Sequence, residues 1–279
     1  MAEIPMSQIY DSDLRQRVFA DTFKAFWSYR ELITLLVKRD IAVRYKRSFL
    51  GLAWSLLNPL LTSLVLWVVF TTIFSSRLPA GTSFAPFLVA GVLLINFFTQ
   101  GFNQAADAIA GGAGILMKVY VPPQVFAFAG AVSNAVNFIF GLFALVIVAL
   151  LAGDGISWMF FLSIVVILAM LLFVTGLGLW VSVLYIRYND SRNIITVVVS
   201  FSMYLAPVFY PIEALNKTMQ RVVSFNPLTA YLEVFRSVFL GVGTATLGAW
   251  LFMIISSVAM LLIGIRSFVQ KWPRIVVML

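Results

Sequence analysis

The chain has 279 residues, 62% of them hydrophobic and only 11% charged, with a formal net charge of +8. Soluble globular chains carry about 45–50% apolar and about 25% charged residues, so a water-soluble fold would leave apolar surface with nowhere to hide. There is no Cys and no His, which excludes a disulfide framework and a thiolate nucleophile and removes the usual proton shuttle, triad base and zinc ligand.

The first 23 residues scatter acidic and basic side chains before any apolar core can form, so no cleavable signal peptide is expected. Residues 27–47 interleave Trp27, Leu32, Leu35, Leu36, Ile41 and Val43 with Arg30, Lys38, Arg39, Arg44, Lys46 and Arg47. This pattern predicts an amphipathic helix in the cytoplasmic headgroup layer, its cations reaching toward water and phosphate. An ordinary basic flank before a span is the alternative.

Six long charge-free runs follow, at 48–76, 78–106, 119–153, 155–186, 193–212 and 237–265. A helix needs about 20 apolar residues to cross a hydrocarbon core of about 30 Å. Barrel strands would alternate over about ten residues instead. Six transmembrane helices are predicted near 51–74, 84–106, 125–151, 156–185, 194–210 and 246–266. The whole chain reads as one transmembrane unit over 1–279, with a cytoplasmic region 1–47, a bundle 48–268 and a tail 269–279.

Between the second and third spans, Gly111, Gly112 and Gly114 precede Lys118. The Lys follows Met rather than Gly, with no Ser or Thr after it, so this is not a phosphate-binding loop. The stretch 211–240 is too polar to span and too apolar to float free. Pro211 and Pro227 divide it into two short helical pieces, one with Leu215, Met219, Val222 and Val223, the other with Leu232, Phe235, Val238 and Phe239.

Lys and Arg set the orientation. With a cytoplasmic N-terminus, 15 of the 19 fall inside and Arg77, Lys217, Arg221 and Arg236 fall outside. Both termini are therefore expected in the cytoplasm. The basic balance is a topology signal and suits contact with anionic lipid, and no nucleic-acid partner is expected. Asp107, Asp154 and Asp190 map to helix ends or loops, so the buried carboxylate relay of an ion-driven carrier is missing.

Glu31-Leu32, Leu36-Val37-Lys38-Arg39-Asp40, Arg44-Tyr45-Lys46-Arg47-Ser48, Leu50-Gly51, Trp54 and Asn58-Pro59 resemble the opening of type-2 ABC exporter permeases. The branch that exports O-antigen, capsule and teichoic-acid polymers is the most similar. A second set lies later: Pro207-Val208-Phe209-Tyr210-Pro211, Asn226-Pro227-Leu228-Thr229 and Glu233-Val234-Phe235-Arg236. The resemblance covers nearly the whole chain.

It implies an all-α membrane protein of six transmembrane helices, with an N-terminal interface helix and short re-entrant helices between the fifth and sixth spans. It also implies a bacterial inner-membrane location, a second copy of the chain, and two separate ATPase subunits that bind ATP and Mg. The cargo would be a lipid-linked polysaccharide, and this chain would hold no cofactor, no metal and no catalytic residue.

On that reading, Lys38, Arg39, Asp40, Arg44, Lys46, Arg47, Lys118, Arg187, Asp190 and Arg192 are candidates for coupling to the ATPase. Pro211, Glu213, Asn226, Pro227, Glu233 and Arg236 belong to an external gate. Trp67, Phe70, Phe74, Tyr204, Phe209 and Tyr210 are candidates to line a glycan path, since sugar C–H faces stack on rings. Core packing or a lipid-facing belt is the alternative for each ring. Two other functions stay open: a permease for a drug or lipid, and a membrane-embedded transferase. The transferase lacks any clustered Asp/Glu pair to act as acid and base.

Overall fold

The computed structural model describes residues 26–46, 48–51, 53–74, 83–116, 118, 121–188 and 190–275, with backbone only at 71–74, 113 and 273–275. Among the described residues, ten α-helices run in order: α1 Arg30–Tyr45, α2 Ala53–Phe74, α3 Phe84–Gly111, α4 Ala113–Leu116, α5 Gln124–Leu151, α6 Ser163–Arg187, α7 Ser191–Leu205, α8 Lys217–Ser224, α9 Pro227–Leu240 and α10 Leu247–Ile275. Two short 3₁₀ turns, Trp158–Leu162 and Ile212–Ala214, complete the order. No strand occurs among the described residues.

Among the described residues, five helical segments are long and apolar enough to cross a membrane: Ala53–Phe70, Phe84–Leu116, Gln124–Leu151, Trp158–Arg187 and Leu247–Trp272. They match five of the six predicted spans, with α3 and α10 running further toward the basic end of the molecule. The predicted span 194–210 departs from this. Its helix α7 has 15 residues and stops at Leu205, giving about 22 Å at 1.5 Å per residue. Pro207 and Pro211 explain the stop, because neither can donate the bond that continues a helix; residues 206–211 are non-helical.

Helix α3 is the hub. Of its apolar window 78% is buried inside the protein, against 11% for α2 and 22% for α10. It packs on α5, α6, α2 and α9. Lipid tails are as apolar as Leu, so helices here associate through close packing rather than water exclusion. Gly176 on α6 and Gly264 on α10 show the device: a Cβ on either would collide with backbone of the other helix.

Aromatic side chains were expected chiefly against lipid, yet many fill the centre. Phe97 stacks on Phe138 at 5.0 Å, Phe98 meets Phe173 at 6.1 Å, and Phe138 meets Phe235 at 5.5 Å. Phe173 also meets Tyr231 at 5.7 Å. These pairs tie α3, α5, α6 and α9 together, and offset or tilted rings add about 0.5–1.5 kcal/mol per pair beyond burial.

Helix α1 turns Ile33, Leu36 and Val37 onto Val121, Val125, Phe126 and Ala129 at the start of α5. Its apolar side therefore packs on the bundle, while Trp27, Leu35 and Val43 stay exposed. Helix α7 is the opposite of α3. Ile194, Val197, Val198, Phe201 and Tyr204 are all exposed, and its main packing partner is α6.

Candidate functional site

Three polar constellations sit on this frame. The first joins α1 to α3 and α5. Arg44 donates from Nη1 to Gln100 Oε1 at 3.3 Å and to Asn134 Oδ1 at 3.5 Å, and from Nη2 to Gln104 Oε1 at 2.9 Å. Gln104 Nε2 donates to Asp40 Oδ2 at 3.1 Å, and Asn134 Nδ2 bonds Gln104 as well. Tyr45 donates to Asn137 Oδ1 at 3.0 Å.

Asp40 and Arg44 thus point into the bundle, one helical turn apart on one face, because an i, i+4 pair shares a face. Arg39 reaches the other way, pairing with Asp40 at 2.9 Å in a half-exposed contact. Lys38 and Lys46 are exposed, as a headgroup-facing cation would be. Arg47 lies outside the described residues.

The amides Gln100, Gln104, Asn134 and Asn137 escaped the sequence analysis. They are neutral, so a search for charge inside apolar runs passes over them. The signal that could have found them is the spacing Gln100/Gln104 and Asn134/Asn137, one turn apart on two different spans.

The second constellation lies at the α6–α7 turn. Asp107, on the last turns of α3 rather than in a loop, pairs with Arg192 at 3.0 Å. Arg192 also lies over the Tyr185 ring at 5.3 Å, and Arg187 over Tyr188 at 5.2 Å. Both members of the ion pair are about half exposed, which limits its contribution to about 0.2–1 kcal/mol. Asp190 is exposed at the N-cap of α7 without a side-chain cap bond. Lys118 is exposed beyond α4.

The third constellation centres on Arg236. The sequence counts it among the outer-side cations and the external-gate candidates; the structure buries it to 5% exposure. Nη1 donates to the Pro207 carbonyl at 2.8 Å, and Nη2 to the carbonyls of Val208 at 2.8 Å and Phe87 at 3.2 Å. Its guanidinium carbon stands 3.5 Å from the Phe87 ring centre. Burial lowers the guanidinium pKa to about 9, opposed by the charge of Glu213, so Arg236 keeps its proton at neutral pH.

Two of the acceptors, Pro207 and Val208, exist because α7 halts: non-helical backbone offers carbonyls that a helix would have used itself; the third, Phe87, lies in the first turn of α3. Gly91 on α3 makes the room, since a Cβ there would stand 2.5 Å from Nη2 and 2.9 Å from the Val208 oxygen.

The surrounding gate residues fall into place. Asn226 caps α9 by accepting from the Leu228 amide at 3.1 Å and donates to the Ser202 carbonyl of α7 at 2.7 Å. Pro227 occupies the first turn of α9, where its missing N–H costs nothing. Glu233 accepts from the Thr246 amide at 3.1 Å, at the start of α10. Gly241 ends α9 at φ 70, a left-handed C-cap that Gly adopts without strain. Glu213, Glu233, Arg236 and the buried Pro211 line one cavity of about 290 Å³.

Of the candidate path rings, Phe70 and Phe209 stack at 6.1 Å and 8°. Tyr210 donates to the Leu205 carbonyl at 3.2 Å. Trp67 and Tyr204 are exposed. The side chain of Phe74 lies outside the described residues. No group of three or more metal-ligating side chains occurs among the described residues.

Comparison with known proteins matches these elements. The family described as ABC-2 type transporter matches residues 31–240, which runs from α1 through α9. The O-antigen export system permease protein RfbA of Myxococcus xanthus is 28% identical over 218 residues, 77% of this chain and 83% of its own. The capsule polysaccharide export inner-membrane protein CtrC of Neisseria meningitidis serogroup A is 25% identical over 243 residues, 85% and 89% of the two chains. The polysialic acid transport protein KpsM of Escherichia coli is 22% identical over 205 residues, 73% and 79%. With its apolar spans and a family match over most of its length, this integral membrane protein belongs to the ABC-2 type transporter family.

Proposed function

We propose that the chain is the transmembrane subunit of an ATP-driven exporter that moves a lipid-linked polysaccharide across the bacterial inner membrane. The observation that carries this is the family match over 31–240 together with relatives named for O-antigen, capsule and polysialic acid export. The permease pairs with a second copy of itself and with two ATPase subunits, which bind ATP and Mg. Both termini face the cytoplasm.

Several features support the finer assignments. Helix α7 counts as a sixth span, lengthened by the non-helical 206–211 to the depth that 15 helical residues do not reach. Helices α8 and α9 re-enter from the outer side, since α9 buries Tyr231, Leu232 and Phe235, Asn226 caps its start, and Glu233 ties it to the start of α10. The exposed apolar faces of α2 and α7 are the surfaces offered to the second copy and to the path, where Trp67, Phe70, Phe74, Tyr204, Phe209 and Tyr210 cluster by sequence. Lys38, Arg39, Lys46, Lys118, Arg187, Asp190 and Arg192 form the cytoplasmic face on which the ATPase acts, and Arg47 is a candidate for it by sequence.

Depletion of the protein in its host tests this: surface glycan should fall and a lipid-linked glycan should accumulate on the cytoplasmic side. The purified chain should hydrolyse no ATP, and co-expression with its ATPase should yield a complex of two and two. ATP hydrolysis by the chain alone, or unchanged surface glycan after depletion, refutes the assignment.

A further inference from the structure

A cavity of about 230 Å³ opens beside the Arg44 network, lined among others by Trp54, Asn58, Asn96, Phe97, Asn137 and Phe138. It is below the roughly 300–1,000 Å³ of pockets for drug-sized ligands, on the scale of one sugar ring rather than a chain.

Its polar groups are unusual for a helix bundle in lipid. Asn137 accepts from Tyr45 through Oδ1, yet its Nδ2 is buried with no partner. Asn58 and Asn96 make no side-chain hydrogen bond among the described residues. An unpaired buried polar group costs about 1–3 kcal/mol, so the idle Asn137 amide nitrogen calls for a ligand, and the free amides of Asn58 and Asn96 stand beside it.

Both terminal nitrogens of Arg44 are engaged by the oxygens of Gln100, Gln104 and Asn134. What remains to a ligand is therefore neutral: three carboxamides, each able to donate and accept, beside the rings of Trp54, Phe97 and Phe138. Carboxamides match the alternating donors and acceptors of vicinal hydroxyls, and rings match the apolar C–H face of a pyranose.

Position agrees. Counting roughly 20 residues, one hydrocarbon thickness, inward from Phe84 on α3 and from Leu151 on α5 reaches Gln104 and Ala131. The cavity lies just within that boundary, and exposed Trp54 and Asn58 leave it open.

We propose that this cavity binds one neutral sugar ring of the glycan at the membrane edge where α1 meets the bundle. The proposal rests on the exporter reading above, and adds the place where the cargo is first gripped.

The test uses the complete complex with its ATPase in nanodiscs. Three probes are titrated: a polyprenyl phosphate carrying one hexose, bare polyprenyl phosphate, and free hexose. Wild type should bind the hexosyl carrier about tenfold more tightly than the bare carrier. Asn137→Ala and Asn58→Ala should each remove most of that preference and leave bare-carrier binding unchanged. Asn58 is exposed and unpartnered, so its variant carries no folding penalty and keeps the test decisive if Asn137→Ala is poorly made.

Free hexose should bind far more weakly than the hexosyl carrier; binding equal to it would overturn the assignment to carrier-linked glycan. Equal binding of the two carriers by wild type, or an unchanged preference in both variants, overturns the sugar site itself. A site that behaves as expected in a protein whose depletion leaves surface glycan intact would instead overturn the exporter reading.

Discussion

Arg236 is a fully enclosed cation with no carboxylate in contact, and its removal should unfasten the segment 206–211. Arg236→Met takes away three hydrogen bonds, to the carbonyls of Pro207, Val208 and Phe87. Each orphaned buried acceptor costs about 1–3 kcal/mol, and the lost contact with the Phe87 ring is worth up to about 2 kcal/mol in a dry setting. Against this stands relief from dehydrating a guanidinium, itself a cost of several kcal/mol. The net expectation is about 3 kcal/mol of destabilisation, which at about 2–4 °C per kcal/mol for a chain of this size lowers the melting temperature by about 6–12 °C.

Gly91→Ala attacks the same contact from the other side, keeping the charge while its Cβ, 2.5 Å from Nη2, drives the guanidinium off its acceptors. Arg236→Lys keeps the charge but lacks the planar fork and should fall between. Melting of the detergent-purified protein and surface glycan in a complemented strain are the readouts.

The pH dependence follows from the lowered pKa. A base lowered to about 9 by burial is protonated in both folded and unfolded chains below that value, so it contributes no slope there. Between about 9 and its ordinary value the unfolded chain binds more protons, and stability then rises with pH. The gap between wild type and Arg236→Met should therefore stay constant from about pH 6 to 8. If Arg236→Met and Gly91→Ala both melt and export like wild type, the guanidinium is not what holds the segment.

Gly264→Val places branched carbons against the Gly176 backbone, so α6 and α10 must part; folded protein should be nearly absent from membranes, whereas Gly248→Val, facing open space apart from Thr246, should accumulate normally. Arg192→Glu breaks the pair with Asp107, and since that pair is half exposed the melting temperature should move by no more than about 3 °C. The coupling assignment predicts that ATP hydrolysis by the complex persists while export drops several-fold; unchanged export would remove this turn from the coupling surface.

The charge-free runs made the five long helices legible, because apolar length is all a span requires. The same test could not read 194–210. Its composition suits lipid, but Pro207 and Pro211 end the helix, and the run of apolar residues hides that break. Arg236 was legible as a gate candidate, but its contacts were not: only the folded chain shows that the carbonyls of Pro207, Val208 and Phe87 lie within its reach. The motif around Asn58 and Arg44 was visible, but its partners were not: Gln100, Gln104, Asn134 and Asn137 carry no charge and stand some 40 to 90 positions away. Long-range pairing of neutral amides leaves no periodic trace.

Helix α9 has a consequence for how the protein is made. Its 14 residues include Glu233 and Arg236, too short and too polar for a membrane insertion machine to recognise as a span. Yet Tyr231, Phe235 and Arg236 end up enclosed, and Tyr231 bonds Ser257 on α10 at 2.5 Å. The segment therefore reaches its place only after α10 has been threaded, when its last wall exists. Biogenesis finishes in the interior, not at the C-terminus, and a ribosome stalled before Leu247 would leave this strand of chain waiting outside an open bundle.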